Sequence, residues 1–194
     1  MDALLPAFVD GLLDQGRDPG DVPDIAVAEA RGWLAPLAER LLVALAMCEP
    51  HADKRVFLAH GYAHVPLTGD TTRAVYLRVA AQSAMTPWLV PEPSVVLMVA
   101  GTTALEMYQD TTDLFHARPS YARSFGPDQF FSVHPGTPCA TQSSPDGVQV
   151  LASTVPVEPD TSDWLSGDEG AATVKQARYT LESIAVAAAQ GRHW

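Results

Sequence analysis

Met85-Thr86-Pro87-Trp88-Leu89-Val90-Pro91-Glu92-Pro93-Ser94-Val95-Val96-Leu97-Met98-Val99-Ala100-Gly101, followed by residues 103–108, and the later Gly126-Pro127-Asp128-Gln129-Phe130-Phe131-Ser132-Val133-His134-Pro135-Gly136-Thr137-Pro138-Cys139 decide the fold. Each stretch sets short runs of Val, Leu and aromatic residues between Pro- and Gly-containing turns, a pattern of strands rather than helices. Working outward, residues 55–59, 63–67, 74–80, 94–99, 103–108, 129–133 and 148–154 read as strands. Thr68-Gly69-Asp70, Ala100-Gly101, Gly126-Pro127-Asp128 and Ser144-Pro145-Asp146-Gly147 supply turns. Short strands at this spacing predict an antiparallel barrel or sandwich.

The flanks change period. Leu4, Leu5, Phe8, Val9, Leu12 and Leu13 form an apolar stripe at helical spacing, broken by the Pro- and Gly-containing residues 16–23. Asp24 is placed to cap a second helix reaching about Arg31. Pro36 opens a third, whose Leu37, Leu41, Leu42, Leu45 and Cys48 share a face and which Glu49-Pro50 stops. Residues 155–170 form a Pro/Asp/Ser/Gly-rich connector. A last helix is expected over 171–190, with Val174, Ala177, Leu181, Ile184, Ala185 and Ala188 on one face and Gly191 ending it. The organisation expected is a helical segment at 1–54, a strand-rich body at 55–157, and a connector with C-terminal helix at 158–194, in one compact unit.

The 194 residues carry 47% hydrophobic and 18% charged side chains, a globular composition. A net charge of -11, with 12 Lys and Arg and no basic run, argues against nucleic acid and against an anionic membrane surface. No apolar run reaches spanning length and the first residues lack a basic leader, so a cytoplasmic location is expected. Cys48 and Cys139 are too few for a disulfide scaffold and read as reduced thiols.

The rhythm of the two quoted stretches resembles the paired motifs of cupins, small β-barrels that usually hold a metal between histidines. Leading helices followed by this strand block look like the cysteine dioxygenase branch of that superfamily, over residues 55–157. The resemblance implies a mainly β fold: a cupin-like antiparallel β-barrel (jelly roll) with N-terminal helices and a C-terminal helix. Where that branch carries Tyr-x-Arg, whose Arg grips a substrate carboxylate, this chain has Tyr62-Ala63-His64. Where its first motif reads Thr/Ser-Pro-x-His-x-His, Thr86-Pro87 is followed by Trp88-Leu89-Val90, and Cys139 stands where the second motif ends in His. The late strand that would supply a catalytic Tyr reads Val150-Leu151-Ala152-Ser153.

An iron site needs nitrogen or carboxylate donors converging at about 2 Å. Trp88 and Val90 offer none, and one Cys139 thiolate does not replace three imidazoles, so no metal and no cofactor are expected. His60 and His64, an even number apart on a strand, share a face, and with His116 and His134 they are the raw material for an alternative ligand set.

The resemblance puts Tyr62 and His64 at the barrel mouth as an acid/base pair, His64 because its ordinary pKa lies near neutrality. Trp88, Val90, Cys139, Tyr108 and His134 are the expected substrate-binding residues. Each has a plainer role in competition: a satisfied polar pair on an edge strand, a plugged core around Trp88, a small buried Cys139, a solvent-facing Glu106 beside Tyr108. Arg118 and Arg123 are scarce cations suited to surface ion pairs or to anion binding. The expected function is a metal-independent enzyme acting on a small organic molecule, as a cyclase, isomerase or lyase. The alternatives are a non-catalytic ligand-binding or regulatory cupin, and a metal-dependent dioxygenase with unusual ligands. A homodimer would cover an exposed strand edge and sheet face, unless the leading helices do so within one chain.

Overall fold

The computed structural model describes residues 27–29, 34–52, 55–67, 74–82, 84–89, 94–109, 118–133, 135–153, 156–157 and 163–191. In chain order these form β1 (Val27–Glu29), α1 (Leu34–Ala52), β2 (Phe57–Ala59), β3 (Tyr62–Pro66), β4 (Ala74–Ala80), β5 (Thr86–Leu89), β6 (Ser94–Ala100), β7 (Thr103–Met107), β8 (Tyr121–Phe125), β9 (Gln129–Val133), β10 (Pro138–Ser143), β11 (Val148–Ser153) and α2 (Gly167–Ala189).

One sheet has the order β1-β9-β6-β11-β4-β3-β2 and the other β5-β10-β7-β8, with antiparallel pairing throughout. The run β9-β6-β11-β4 facing β5-β10-β7-β8 is the double Greek key of a jelly roll, the architecture that cupins share with capsid and lectin domains. β3 and β2 extend the larger sheet past β4, and β1 extends it past β9. Among the described residues no strand of one sheet pairs with a strand of the other. The expected cupin-like jelly roll is thus present as a two-sheet sandwich, joined by side chains of the two inner faces.

Alternation along each strand separates two cores. Ala63, Val65, Val75, Leu77, Val79, Val95, Leu97, Val99, Phe130, Val148, Val150 and Ala152 face the helices. They meet Leu34, Leu37, Ala38, Leu41 and Leu45 of α1 and Val174, Ala177, Leu181 and Ile184 of α2. The opposite faces of the same strands turn inward and pack Phe57, Tyr76, Val96, Met98, Phe131, Val133 and Leu151 against Leu105, Met107, Phe125 and Cys139 of the smaller sheet.

Local signals fix the helix ends. The Leu34 N–H donates to Asp128 Oδ1 (3.0 Å), tying the start of α1 to the β8–β9 turn. Ser166 and Glu169 form a capping box, so α2 begins at Gly167 rather than at 171, and Gly191 (φ 67°) follows its end. The first expected helix, at 4–13, lies outside the described residues. The second is corrected over the described part: Val27–Glu29 is a strand, whose backbone pairs antiparallel with the edge of β9. α1 runs to Ala52, past the expected stop at Glu49-Pro50, since a proline in a last turn removes only one backbone bond. β8 and β10 were not foreseen as strands; Tyr121-Ala122-Arg123-Ser124-Phe125 and Pro138-Cys139-Ala140-Thr141-Gln142-Ser143 have few β-branched residues and are made strands by their partners.

Candidate functional site

The β2–β3 hairpin and the three strands beside it position the polar groups of the sandwich interior. His60 (φ 51°) and Gly61 (φ 81°) make its two-residue turn, a left-handed pair suited to a tight hairpin. A Cβ at Gly61 would stand 2.8 Å from Thr86 Oγ1, so glycine also lets the turn close onto β5. His60 therefore occupies the turn and does not share a strand face with His64, contrary to the sequence expectation.

Register then sets a polar row across the inner face. His64 lies opposite Arg78, and Arg78 lies opposite Gln149 on the next strand. Tyr62, two residues before His64, points the same way. Tyr62, His64, Arg78, Gln149 and Cys139 are each no more than 2% exposed. The Arg78 guanidinium carbon stands 3.8 Å from the centroid of the Tyr62 ring, a cation held over an aromatic face. The Tyr62 hydroxyl bonds Ser143 Oγ (2.6 Å) and accepts from Gln149 Nε2 (3.1 Å). Gln149 Nε2 also donates to Thr103 Oγ1 and to Ser143 Oγ, and the Thr103 and Ser143 hydroxyls bond each other.

The electrostatics follow from this placement. Burial pushes the Tyr62 phenol up, but the Arg78 charge and the hydroxyls of Ser143, Thr141 and Thr103 outweigh it and leave the phenol below its ordinary value. Burial, then Arg78, hold His64 well below the usual imidazole value, so it stays neutral at neutral pH. This revises the expectation that His64 titrates near neutrality. Its Nδ1 lies 3.2 Å from the Tyr62 carbonyl oxygen. A carbonyl only accepts, so Nδ1 carries the proton and Nε2 keeps its lone pair. The ring stacks on Phe57 (5.0 Å between centroids, 6° between planes) and meets the edge of Tyr76.

Phe57 links the interior to the surface. Its ring meets half-exposed Trp164 edge-on at 5.6 Å, and residues 163–165 run along the outer side of β2 through Leu58 N–H to Asp163 O and Leu165 N–H to Val56 O. Desolvation lowers Arg78 to about 10, against the pull of Tyr62 and Cys139. Burial raises the Cys139 thiol to about 12 although Arg78 acts the other way, so it is a neutral thiol rather than a nucleophile.

The structure thus turns Tyr62, His64 and Cys139 toward one interior with Arg78 among them. Tyr108 is corrected: its hydroxyl donates to Glu106 Oε2 on the other side of β7, and that carboxylate, with burial, raises the phenol to about 12. Trp88 joins β5 opposite Cys139 by its backbone; its side chain, Val90, His116 and His134 lie outside the described residues. Arg118 and Arg123 are exposed, Arg123 lying over Phe125. Sequence reasoning missed Arg78 and Gln149. The signal available was an Arg in the apolar run Ala74-Val75-Tyr76-Leu77-Arg78-Val79-Ala80, in phase with Tyr76 rather than with Val75, Leu77 and Val79.

Among the described residues the inner cluster offers one imidazole and one protonated thiol, with a buried guanidinium that repels a cation, and these side chains do not fit a metal of the cupin kind. Among the described residues no three His, Cys, Asp or Glu side chains come together as a ligand set. A surface groove of about 280 Å³, lined by Thr102, Ala104, Ser124, Gln142, Ser143, Ser144 and Pro145, lies by the smaller sheet and is open and uncharged. No described helix is long and apolar enough to cross a membrane.

The chain matches no protein-family model and no curated protein. It is similar to solved structures at low identity. Oxalate decarboxylase of Bacillus subtilis, with Mn(II) centres, is 14% identical over 57% of this chain and 29% of its own, with a TM-score of 0.42. Streptomyces albus HEPD, with 2-hydroxyethylphosphonate and Fe(II) bound, is 11% identical over 53% and 23%, at 0.39. KdgF of Halomonas sp. is 14% identical over 51% and 85%, at 0.40. This chain spans less than a third of the first two. The jelly-roll, cupin-like assignment rests on the strand order itself.

Proposed function

We propose that the interior of this cupin-like sandwich is a metal-independent site for a small organic molecule, on which Tyr62 performs proton transfer. The observation that carries the reading is the Arg78 guanidinium 3.8 Å over the Tyr62 ring, with the phenol oxygen hydrogen-bonded to Ser143 and Gln149. A nearby buried cation favours phenolate, so Tyr62 can take a proton from a substrate and return it at another atom, the elementary step of an isomerisation, cyclisation or lyase reaction. His64 is a neutral hydrogen-bond acceptor in this scheme, holding rather than moving a proton. On this reading the chain resembles the cysteine dioxygenase branch with the metal positions given over to Trp88, Val90 and Cys139.

The test is a spectrophotometric titration of the phenols in wild type against Tyr62→Phe. The difference spectrum is expected to show one phenol ionising below the ordinary tyrosine value of 10.0, and Arg78→Met to move it upward. A Tyr62 that ionises at or above that value overturns the reading. A second reading, a non-catalytic binding or regulatory protein, is favoured by the burial of every member of the cluster. Ligand binding without turnover, at a Tyr62 that titrates normally, would select it.

A further inference from the structure

The inner row that runs through Gln149, Arg78 and His64 does not stop at β3. Phe57 lies opposite His64 in the β2–β3 pairing, and Trp164 lies opposite Phe57 in a bridge on the far side of β2. Three rings thus close this margin of the sandwich in sequence: half-exposed Trp164, then buried Phe57, then buried His64. Tyr76 meets both Phe57 and His64 edge-on. The margin is held unevenly. β3 is paired with β4 along its whole length, Tyr62 to Pro66, and β4 with β11 from Ala74 to Val79. By contrast β2 has three residues, and residues 163–165 are tied to it through Leu58 N–H to Asp163 O (2.8 Å) and Leu165 N–H to Val56 O (3.0 Å). A segment held by so short a ladder opens before the sheet it covers.

We propose that β2 and residues 163–165 form an acid-released latch: a proton on His64 breaks the ring stack and frees Phe57 and Trp164 from the margin, while β3, β4 and β11 stay paired. The reason lies in the second ring nitrogen. Nδ1 already donates to the Tyr62 carbonyl, so an added proton goes to Nε2, which has no hydrogen-bond partner in the closed form. The imidazolium then stands opposite Arg78 in the β3–β4 register, one buried cation against another. The other titratable groups around the ring are Tyr62 on its own strand, Tyr76 on β4 and His60 in the hairpin turn, while Cys139 of the facing sheet acts on Arg78. None of these is a carboxylate. Asp163, on the latch itself, meets β2 through its backbone carbonyl. Water is left to solvate the new charge, and Phe57 and Trp164 are the rings that must move to admit it. The latch does not depend on Tyr62 acting on a substrate.

Amide hydrogen exchange followed from about pH 7 to about pH 5 tests the latch. The open form holds His64 near its ordinary 6.5 and the closed form holds it well below that. The open fraction therefore rises as pH falls beneath 6.5, by up to about tenfold per pH unit. Protection of the Leu58 and Leu165 amides, corrected for the intrinsic pH dependence of exchange, is expected to fall at that rate, with the Leu77 amide of β4 far better protected throughout. His64→Phe, which keeps a flat ring against Phe57, should make protection at Leu58 and Leu165 independent of pH. Trp164→Ala should lower it roughly tenfold at neutral pH and leave Leu77 unchanged. Wild-type protection at Leu58 and Leu165 that does not follow pH overturns the latch. So does exchange at Leu58, Leu165 and Leu77 with one common protection, or a pH dependence that survives in His64→Phe.

Discussion

On the side of the seven-stranded sheet that faces the helices, β3, β4 and β11 present Ala63, Val65, Val75, Leu77, Val79, Val148, Val150 and Ala152; on the inner side the same strands present Tyr62, His64, Tyr76, Arg78, Gln149 and Leu151. One residue of offset separates an aliphatic layer from a polar one. The difference teaches where stability and chemistry are kept. The helix side buries branched apolar side chains against α1 and α2, which favours folding by roughly 1.5–3 kcal/mol per residue. The inner side carries a buried charge, whose desolvation opposes folding. Such a face persists because its other side supplies the surplus, which is how a folded protein can hold a site that is not optimised for stability.

Adjacent residues of β4 give the strongest way to break this comparison. Leu77→Ala, on the helix side and fully buried, is expected to cost about 3 kcal/mol in urea unfolding. Arg78→Met, one position on, is expected to leave stability unchanged or raise it by up to about 2 kcal/mol, because desolvation of the fully buried guanidinium opposes folding. A loss at Arg78 as large as that at Leu77 would mean that the inner face contributes to stability as the outer face does.

The smallest effect sharpens the comparison through pH. His64 is held well below its ordinary 6.5, so as pH falls beneath 6.5 the unfolded chain takes a proton that the folded chain refuses. Stability should therefore drop through that window, at up to about 1.4 kcal/mol per pH unit. His64→Phe should remove this component, seen as a shallower acid slope in thermal melts than wild type shows. Identical slopes would place His64 in a wetter setting than its burial implies.

The aliphatic layer was the legible part of the sequence. Residues 74–80, 94–99, 129–133 and 148–154 announced their strands through Val, Leu and Phe, and the stripe of Val174, Ala177, Leu181 and Ile184 announced α2. β8 and β10 were illegible because their strand character comes from partners distant in sequence. Among the candidate residues, Tyr62, His64 and Cys139 were singled out through the motif positions and face the interior. Tyr108 and Glu106, two apart, read from the sequence as sharing one face, and their hydrogen bond agrees with that; which side of β7 the face takes is set by the partner strands. Arg78 was hidden because a single cation in an apolar strand carries no motif; its importance comes from standing between His64 and Gln149 in register.

At the β2 margin the larger sheet ends in a strand of three residues. A visiting strand from another chain finds little template there, because residues 163–165 already occupy the outer side through the Leu58 and Val56 backbone. Growth by edge-to-edge strand addition, the route by which exposed sheets build fibrils, is thereby stunted at that margin.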